Sequence, residues 1–257
     1  MSNFDRWSTT SRREVNGHTL ETITGDPSRS ELAVTSVAAT VSEHYMAPDR
    51  LAEILEKFGH VKAAEAVKNK LPTIKSARSG DLGEIIGSNF IDEKLSYTVA
   101  IKRLRWKDHR EMAVRGDDIL AIQKDATWSL LFLKAEVKSR QSLTAAVVVE
   151  AREALDRDQG RPSPHSLAFV ADRLREAGHT ELAGRIDEIQ IGLGADRQQV
   201  SNLLFTFSGN DPTDFLEKDL NSYAGNIPQV AIGLRIHNHA DFIASIYEKV
   251  SSDECGE

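Results

Sequence analysis

Hydrophobic residues recur at three- and four-residue intervals in several stretches of the chain, a spacing that predicts amphipathic helices. The first stretch runs from 48 to 71, and a break near Gly59 divides it into a pair of helices. A further helix opens at Ser79 or Asp81, either of which can cap it, and buries the leucine and isoleucines that follow. Residues 1–46 show no strong period, so strand and helix both stay open there.

Three strand-like segments follow this helix, at 97–106, 111–123 and 127–139. A long helix over about 141–157 comes next, then two shorter helices, and finally two strands that are each followed by a helix. This order of elements predicts an α/β fold with a mixed sheet flanked by helices.

Composition narrows the classes of protein that fit. The 257 residues carry a net charge of -7, which argues against a protein that coats nucleic acid through its overall field. Any such binding must come from a local patch or a partner. The single cysteine, Cys255, lies in a polar tail and cannot form an intramolecular disulfide, as expected in a reducing cytosol. The N-terminus lacks a signal-like apolar segment and no apolar run could span a bilayer, so we expect a cytoplasmic protein without membrane contact.

The stretch LKAEVKSR, residues 133–140, places two charges in a strand that is otherwise apolar. Side chains alternate along a strand, so Glu136 and Lys138 share a face, and isolated charges on a buried strand are costly. The preceding segment, RGDD, places Asp117 and Asp118 directly ahead of an apolar run. If the two segments pair as a hairpin, their carboxylates converge at one end of the sheet. Glu84, on the helix before them, can add a third carboxylate.

Three carboxylates and a lysine in this arrangement suit a divalent cation and a phosphodiester. Mg²⁺ prefers a few carboxylate oxygens and shares the phosphate oxygens of a substrate. A bound metal lowers the pKa of its water, and a nearby ammonium can orient the nucleophile or stabilise the growing negative charge. The pattern therefore predicts metal-dependent hydrolysis of a phosphodiester.

The motif GDD…AEVKSR, with an upstream helix that carries Glu84, resembles the PD-(D/E)xK nuclease superfamily, whose restriction-endonuclease-like core is helix, three strands, helix and strand. The longer run over about residues 79–140, which includes SGDLGEIIGSNFI and LLFLKAEVKSR, is similar to the HamA nuclease subunits of the Hachiman anti-phage defence system. Two adjacent aspartates fit the motif. Asp118 is preferred because it directly precedes the apolar strand, with Asp117 as the alternative.

The resemblance implies a role for each matching residue. Asp118, Glu136 and the backbone carbonyl of Val137 would hold Mg²⁺, for which Mn²⁺ can substitute. Lys138 would position the attacking water. Glu84 would bind a second metal or orient a water. The expected activity is that of a Mg²⁺-dependent deoxyribonuclease.

The resemblance also implies a partner, a HamB-like helicase that restrains the nuclease until it engages DNA. We expect residues 1–75 to form an N-terminal accessory region that docks this partner, and residues 76–257 to form the nuclease domain. Two alternatives remain open at this point. One is a degenerate nuclease fold that acts as a DNA-binding or adaptor subunit, and the other is a stand-alone restriction or repair endonuclease.

A basic segment, IKRLRWKDHR, interrupts the acidic composition. Arg103, Arg105 and Lys107 cluster around Trp106, and Arg140 follows the lysine motif. These cations could contact the DNA backbone and supply the local attraction that the whole molecule lacks. The alternative is a solvated hairpin edge, where basic residues discourage aggregation between strands.

Overall fold

A single six-stranded sheet lies at the centre of the computed structural model, which describes residues 1–124, 129–192 and 195–253. Its strands are β1 (Ser8–Val15), β2 (His18–Gly25), β3 (Ile119–Lys124), β4 (Leu130–Arg140), β5 (Val200–Ser208) and β6 (Gln229–Arg235). They lie in the order β1-β2-β6-β5-β4-β3, parallel at the three central pairings and antiparallel at both edges. The predicted α/β class with a mixed sheet is confirmed. Cys255 and residues 127 and 128 of the third predicted strand lie outside the described residues.

Helices cover both faces of this sheet. They are α1 (Ser30–Tyr45), α2 (Pro48–Phe58), α3 (His60–Lys68), α4 (Lys75–Lys94), α5 (Ala145–Asp156), α6 (Pro164–Glu176), α7 (Thr180–Ile191), α8 (Thr213–Ser222) and α9 (His239–Asp253). One face packs against α1, α4 and α9, and the other against α5, α6 and α8. Gly59, with φ +80°, separates α2 from α3 as predicted. No described helix is both long and apolar enough to cross a membrane.

An N-terminal hairpin completes the sheet, in the region that the sequence left undecided. Asn16 and Gly17 form its two-residue turn, and both have positive φ, 51° and 77°, as a tight turn between twisted strands requires. β2 then pairs in parallel with β6, where Thr19 lies opposite Val230. Residues near both ends of the described chain therefore share one sheet. The partner-docking role of residues 1–75 stays a prediction.

The prediction of a strand over residues 97–106 is wrong. Within it the structure shows only an isolated bridge between Thr98 and Ile122 and a short 3-10 turn from Arg103 to Trp106. The Val99 N–H donates to Asp92 Oδ1 at 2.7 Å, so a side chain rather than a neighbouring strand satisfies this backbone group. Val99 and Leu104 are nevertheless buried, so apolar side chains of this segment reach the core from irregular backbone.

Two boundaries also differ from prediction. α4 begins at Lys75, ahead of both predicted caps, and Asp81 lies buried within the helix. The second predicted strand, 111–123, begins only at Ile119. The residues before Ile119 form turns and irregular backbone that carry the aspartate pair to the edge of the sheet.

Candidate functional site

The two charged motifs meet where β3 begins. Ile119 pairs with Ala135 of β4, so Asp118 stands beside Glu136. Asp118 Oδ2 accepts a hydrogen bond of 2.9 Å from the backbone N–H of Val137, which holds the carboxylate against β4. The hairpin predicted from the sequence thus brings an aspartate and a glutamate together at one end of the sheet.

The neighbouring aspartate is directed elsewhere. Asp117 Oδ2 accepts a 2.9 Å hydrogen bond from the Ser163 N–H, and its Oδ1 lies 3.5 Å from the buried ammonium of Lys134. These contacts fix Asp117 between β4 and the start of α6. Of the two aspartates, Asp118 is therefore the one whose carboxylate reaches the backbone beside Glu136.

α4 brings the third carboxylate close to the hairpin because two glycines remove the side chains that would separate them. A Cβ placed on Gly83 would lie 3.1 Å from Ser139 Cβ, and one on Gly87 would lie 3.2 Å from Ile119 Cδ1. Such distances are tighter than ordinary packing allows, so glycine permits the close approach of helix and sheet. Glu84 lies between the two glycines and is carried to the site by this packing.

Glu84 faces Arg103 in a long ion pair. Its Oε2 is buried and has no hydrogen-bond partner among the described residues, and the same holds for Arg103 Nε. The two atoms are 3.8 Å apart, beyond hydrogen-bond distance. Arg103 donates through another nitrogen to the carbonyl of Val114. One buried carboxylate oxygen is therefore left able to accept a further donor or cation.

The three carboxylates influence one another electrostatically. Burial, and then the charge of Asp118, raise the pKa of Glu84 well above its usual value. Burial raises the pKa of Asp118, which the Val137 hydrogen bond partly offsets. Burial and the charge of Asp118 raise the pKa of Glu136 to about 7. These raised pKa values result first from burial and, for Glu84 and Glu136, also from the charge of Asp118; raised pKa values of buried carboxylates are common at functional sites.

The HamA family model matches residues 2–250 of the chain. The chain belongs to the HamA family. A relative described as Hachiman protein HamA, from Bacillus cereus, is 27% identical over 234 residues, which cover 89% of this chain and 83% of the relative. The HamA match includes all six strands, so it extends well beyond the segment 79–140 whose motifs first suggested the family.

The donor groups at this site of the HamA-family chain fit a hard divalent cation. Glu84, Asp118 and Glu136 offer carboxylate oxygens from three elements, and oxygen donors are those that Mg²⁺ prefers. The orphaned Oε2 of Glu84 is a buried acceptor of the same kind. Throughout residues 1–124, 129–192 and 195–253, no three His, Cys, Asp or Glu side chains already form a group that could hold a metal. Binding one ion would therefore require these side chains to rotate toward each other.

Lys138 is held between two carboxylates. Its Nζ lies 3.0 Å from Glu136 Oε1 and 2.7 Å from Glu150 Oε1 of α5. Burial lowers the pKa of the Lys138 ammonium, but the hydrogen bonds to Glu150 and Glu136 outweigh it and raise the pKa. Glu150 was not among the residues predicted from the sequence, because nothing in the local pattern shows which residue of α5 faces β4.

A second lysine of β4 was also missed. Lys134 is 2% exposed, and its Nζ donates to the carbonyls of Leu155, Arg157 and Arg161 at 3.0, 3.0 and 3.1 Å. It thereby fastens the segment after α5 to the strand that carries Glu136. The position of this lysine in the middle of the apolar run LLFLKAEV was the sequence feature that indicated a buried role.

The basic residues of the predicted DNA-contacting group lie in different environments. The side chain of Lys107 is only 5% exposed and donates to both oxygens of Asp81 at 2.8 Å. Arg105 donates to the Glu43 carbonyl at 2.8 Å, whereas Arg140 is exposed beside the site. Arg103 faces Glu84, as described above. The DNA contacts of all four residues stay predictions.

Proposed function

We propose that this chain is a metal-dependent deoxyribonuclease, the nuclease subunit of a Hachiman anti-phage defence system. Membership of the HamA family makes the chain a component of Hachiman defence. The nuclease activity rests on one observation: Asp118 and Glu136 lie side by side next to Lys138, with Glu84 within electrostatic range. Burying three carboxylates together is costly, and clusters of this kind with raised pKa values occur often at functional sites, so this cluster favours catalysis over a purely structural role.

Asp118, Glu136, the Val137 carbonyl and Glu84 are the groups that would hold Mg²⁺, with Mn²⁺ as a substitute. The bound ion would lower the pKa of a coordinated water and neutralise charge on the scissile phosphate. Val137 N–H keeps Asp118 against β4, and the two glycines of α4 keep Glu84 close to the same strand. The protein thus supplies a set of oxygens whose backbone positions are already fixed.

Lys138 orients the nucleophile in this proposal. Its ammonium points to Glu136 Oε1, and a water between this ammonium and the phosphate would be aligned for attack. The water oxygen would bond to phosphorus and give up a proton to solvent, while the bond from phosphorus to the leaving sugar oxygen would break and that oxygen would take up a proton from solvent. The ammonium would stabilise the negative charge that develops. The positive charge of Arg103 partly offsets the negative charge of Glu84 when no substrate is bound.

A helicase partner of the HamB kind completes the proposal. With a net charge of -7, the chain attracts DNA weakly through its overall field, so delivery by a partner suits it. We place the docking surface within residues 1–75, where Leu55, Phe58 and Val61 of the α2–α3 pair are 36%, 67% and 79% exposed. Apolar side chains that cluster on a surface are typical of protein interfaces.

The test is cleavage of duplex DNA with Mg²⁺, with Mn²⁺ and with EDTA, in the presence and absence of the partner helicase. We expect wild type to cut only with metal, and Glu136→Gln and Lys138→Ala to lose at least about 100-fold in rate, as for the loss of a metal ligand or an oriented nucleophile. Asp92→Asn is the matched control. Asp92 is a partly buried carboxylate of α4, the helix that also carries Glu84, and burial raises its pKa as well.

The outcomes separate the alternatives. Folded site variants that cut as well as wild type would show that the site is elsewhere. Absence of cleavage under every condition, with DNA binding retained, would favour an adaptor subunit. Full cleavage by the isolated chain, unchanged by the helicase, would favour a stand-alone endonuclease.

A further inference from the structure

The ammonium of Lys138 has one partner that the proposed chemistry does not use. Glu136 belongs to the metal site, but Glu150 comes from α5, and its side chain is 58% exposed. The Glu150 contact is nevertheless the shorter of the two, 2.7 Å against 3.0 Å. A solvent-exposed carboxylate therefore occupies the open side of the motif lysine.

The Glu150 carboxylate contacts Lys138 and also feels the charge of two arginines. The hydrogen bond from Lys138 is the largest cause that lowers its pKa, and the charges of Arg140 and Arg157 add to it. Both arginines are exposed. Three cations acting on one carboxylate are more than an ion pair requires, whereas the anionic oxygens of a phosphodiester can accept from several donors at once.

The position of Arg157 is fixed by the buried lysine of β4. Lys134 binds the carbonyl of Arg157 itself at 3.0 Å. The next three residues, Asp158, Gln159 and Gly160, turn sharply with φ of 56°, 62° and 77°. Because this turn is tied to β4 at Lys134, two residues before Glu136, the backbone of Arg157 is held close to the strand that carries the site.

We propose that Lys138, Arg140 and Arg157 form a subsite for a backbone phosphate of DNA, and that the Glu150 carboxylate fills this subsite until DNA displaces it. The inference rests on the proposed nuclease function. The Glu150 side chain is 58% exposed, so its carboxylate can return to water when a phosphate takes its place beside Lys138. The carboxylate weakens DNA binding by the chain alone, in addition to the net negative charge.

The test measures equilibrium binding of a short DNA duplex in EDTA, where cleavage cannot occur. Glu150→Gln keeps the size of the side chain and removes its charge, and we expect it to raise affinity by about 5- to 10-fold at moderate salt, as for one added phosphate contact. Glu153→Gln is the matched control, because Glu153 is an exposed glutamate of the same helix. It removes the same charge from a position three residues away and should change affinity much less.

The arginine gives an independent measurement. Arg157→Gln should weaken binding and reduce the slope of log affinity against log salt by about 1, the value for one phosphate contact. Arg12→Gln, an exposed arginine of β1 at the opposite edge of the sheet, should leave the slope unchanged. Equal affinities for the Glu150 and Glu153 variants, or equal slopes for the Arg157 and Arg12 variants, would overturn the subsite.

Cleavage assays on the same proteins separate this inference from the function on which it rests. If wild type cuts DNA with Mg²⁺ but the four variants bind alike, the nuclease function stands and the subsite is wrong. If no variant cuts DNA, yet the Glu150 variant binds more tightly than the Glu153 variant, the subsite stands and the nuclease function fails.

Discussion

Lys134 Nζ lies 3.5 Å from Asp117 Oδ1, while the next residue, Asp118, accepts a hydrogen bond from the backbone N–H of Val137, further along β4. The two adjacent aspartates therefore have separate surroundings, one facing a buried lysine and one facing the candidate site.

Asp117→Asn and Asp118→Asn should have different effects for this reason. We expect Asp117→Asn to lower the free energy of unfolding by about 1–3 kcal/mol, because a buried ion contact is lost, and to leave metal affinity nearly unchanged. Asp118→Asn should weaken Mn²⁺ binding by at least about 10-fold, with a smaller change in stability. Urea denaturation and calorimetric metal titration give the two quantities. The reverse assignment of effects would make Asp117 the metal ligand.

The raised pKa of Glu136, about 7, predicts how stability changes with pH. Between about pH 4.5 and pH 7 the folded state binds more protons at this group than the unfolded state does, so the free energy of unfolding falls as pH rises through that window. We expect this group to account for a loss of about 1–3 kcal/mol, and Glu136→Gln to remove it. Urea denaturation in EDTA at about pH 5 and about pH 8 measures the difference. Identical pH dependence in both proteins would mean that Glu136 titrates normally.

The close packing of α4 predicts that a side chain at Gly87 disturbs the site. A Cβ there meets Ile119 Cδ1 at 3.2 Å and Val137 Cγ2 at 3.3 Å, so Gly87→Val should lower the free energy of unfolding by about 1–3 kcal/mol and weaken metal binding as α4 moves away. Gly184→Ala, in α7, has open space around its Cβ and should stabilise the protein by about 1 kcal/mol. Equal effects of the two substitutions would show that α4 has room for a side chain.

The burial of Lys107 predicts a structural role for this residue. Lys107→Met leaves Asp81 buried with the Tyr45 hydroxyl, at 2.7 Å, as its remaining described partner, and should cost about 3–5 kcal/mol of stability. The double variant Lys107→Met with Asp81→Asn should recover part of that loss. If Lys107 instead contacts DNA, as the sequence pattern predicts, the single variant will reduce the salt slope of DNA binding by about 1.

The exposed apolar side chains of α2 and α3 predict where a helicase partner binds. Phe58→Glu should weaken the complex by about 10-fold or more, since a charge would replace an apolar contact, and should leave the isolated chain as stable as wild type. Ile191→Glu is the control, because Ile191 is 83% exposed at the end of α7, outside residues 1–75. Size-exclusion and affinity measurements with the purified helicase decide between the two positions. Equal weakening by both would move the docking surface away from α2.

Much of the fold follows from local pattern. The break at Gly59, the Ser163-Pro164 start of α6 and the strands after residue 199 obey rules that a few neighbouring residues determine. The N-terminal hairpin was left undecided, although Asn16-Gly17 between two strand-length segments is a strong turn signal. Segment 97–106 could not be assigned in this way, because its backbone bonds to Asp92 and to isolated partners rather than along a strand.

The residues of the candidate site could likewise be predicted only in part from the sequence. Asp118, Glu136 and Lys138 were identified because motif and strand alternation are sequence-local features. Glu150 required knowledge of which side of α5 faces β4, and the separation of Asp117 from Asp118 required the position of Lys134. Contacts between elements distant along the chain set these details, and no single stretch of sequence records them.

The position of β6 in the sheet has a consequence for synthesis of the protein. β6 lies between β2 and β5, so the N-terminal hairpin reaches the rest of the sheet only through a strand made near the end of the described chain. During translation, β1 and β2 gain their permanent neighbour only after residues 229–235 have left the ribosome. The hairpin can form early from local contacts, but the central sheet closes late. A nascent chain therefore cannot complete this sheet until residues 229–235 have been made.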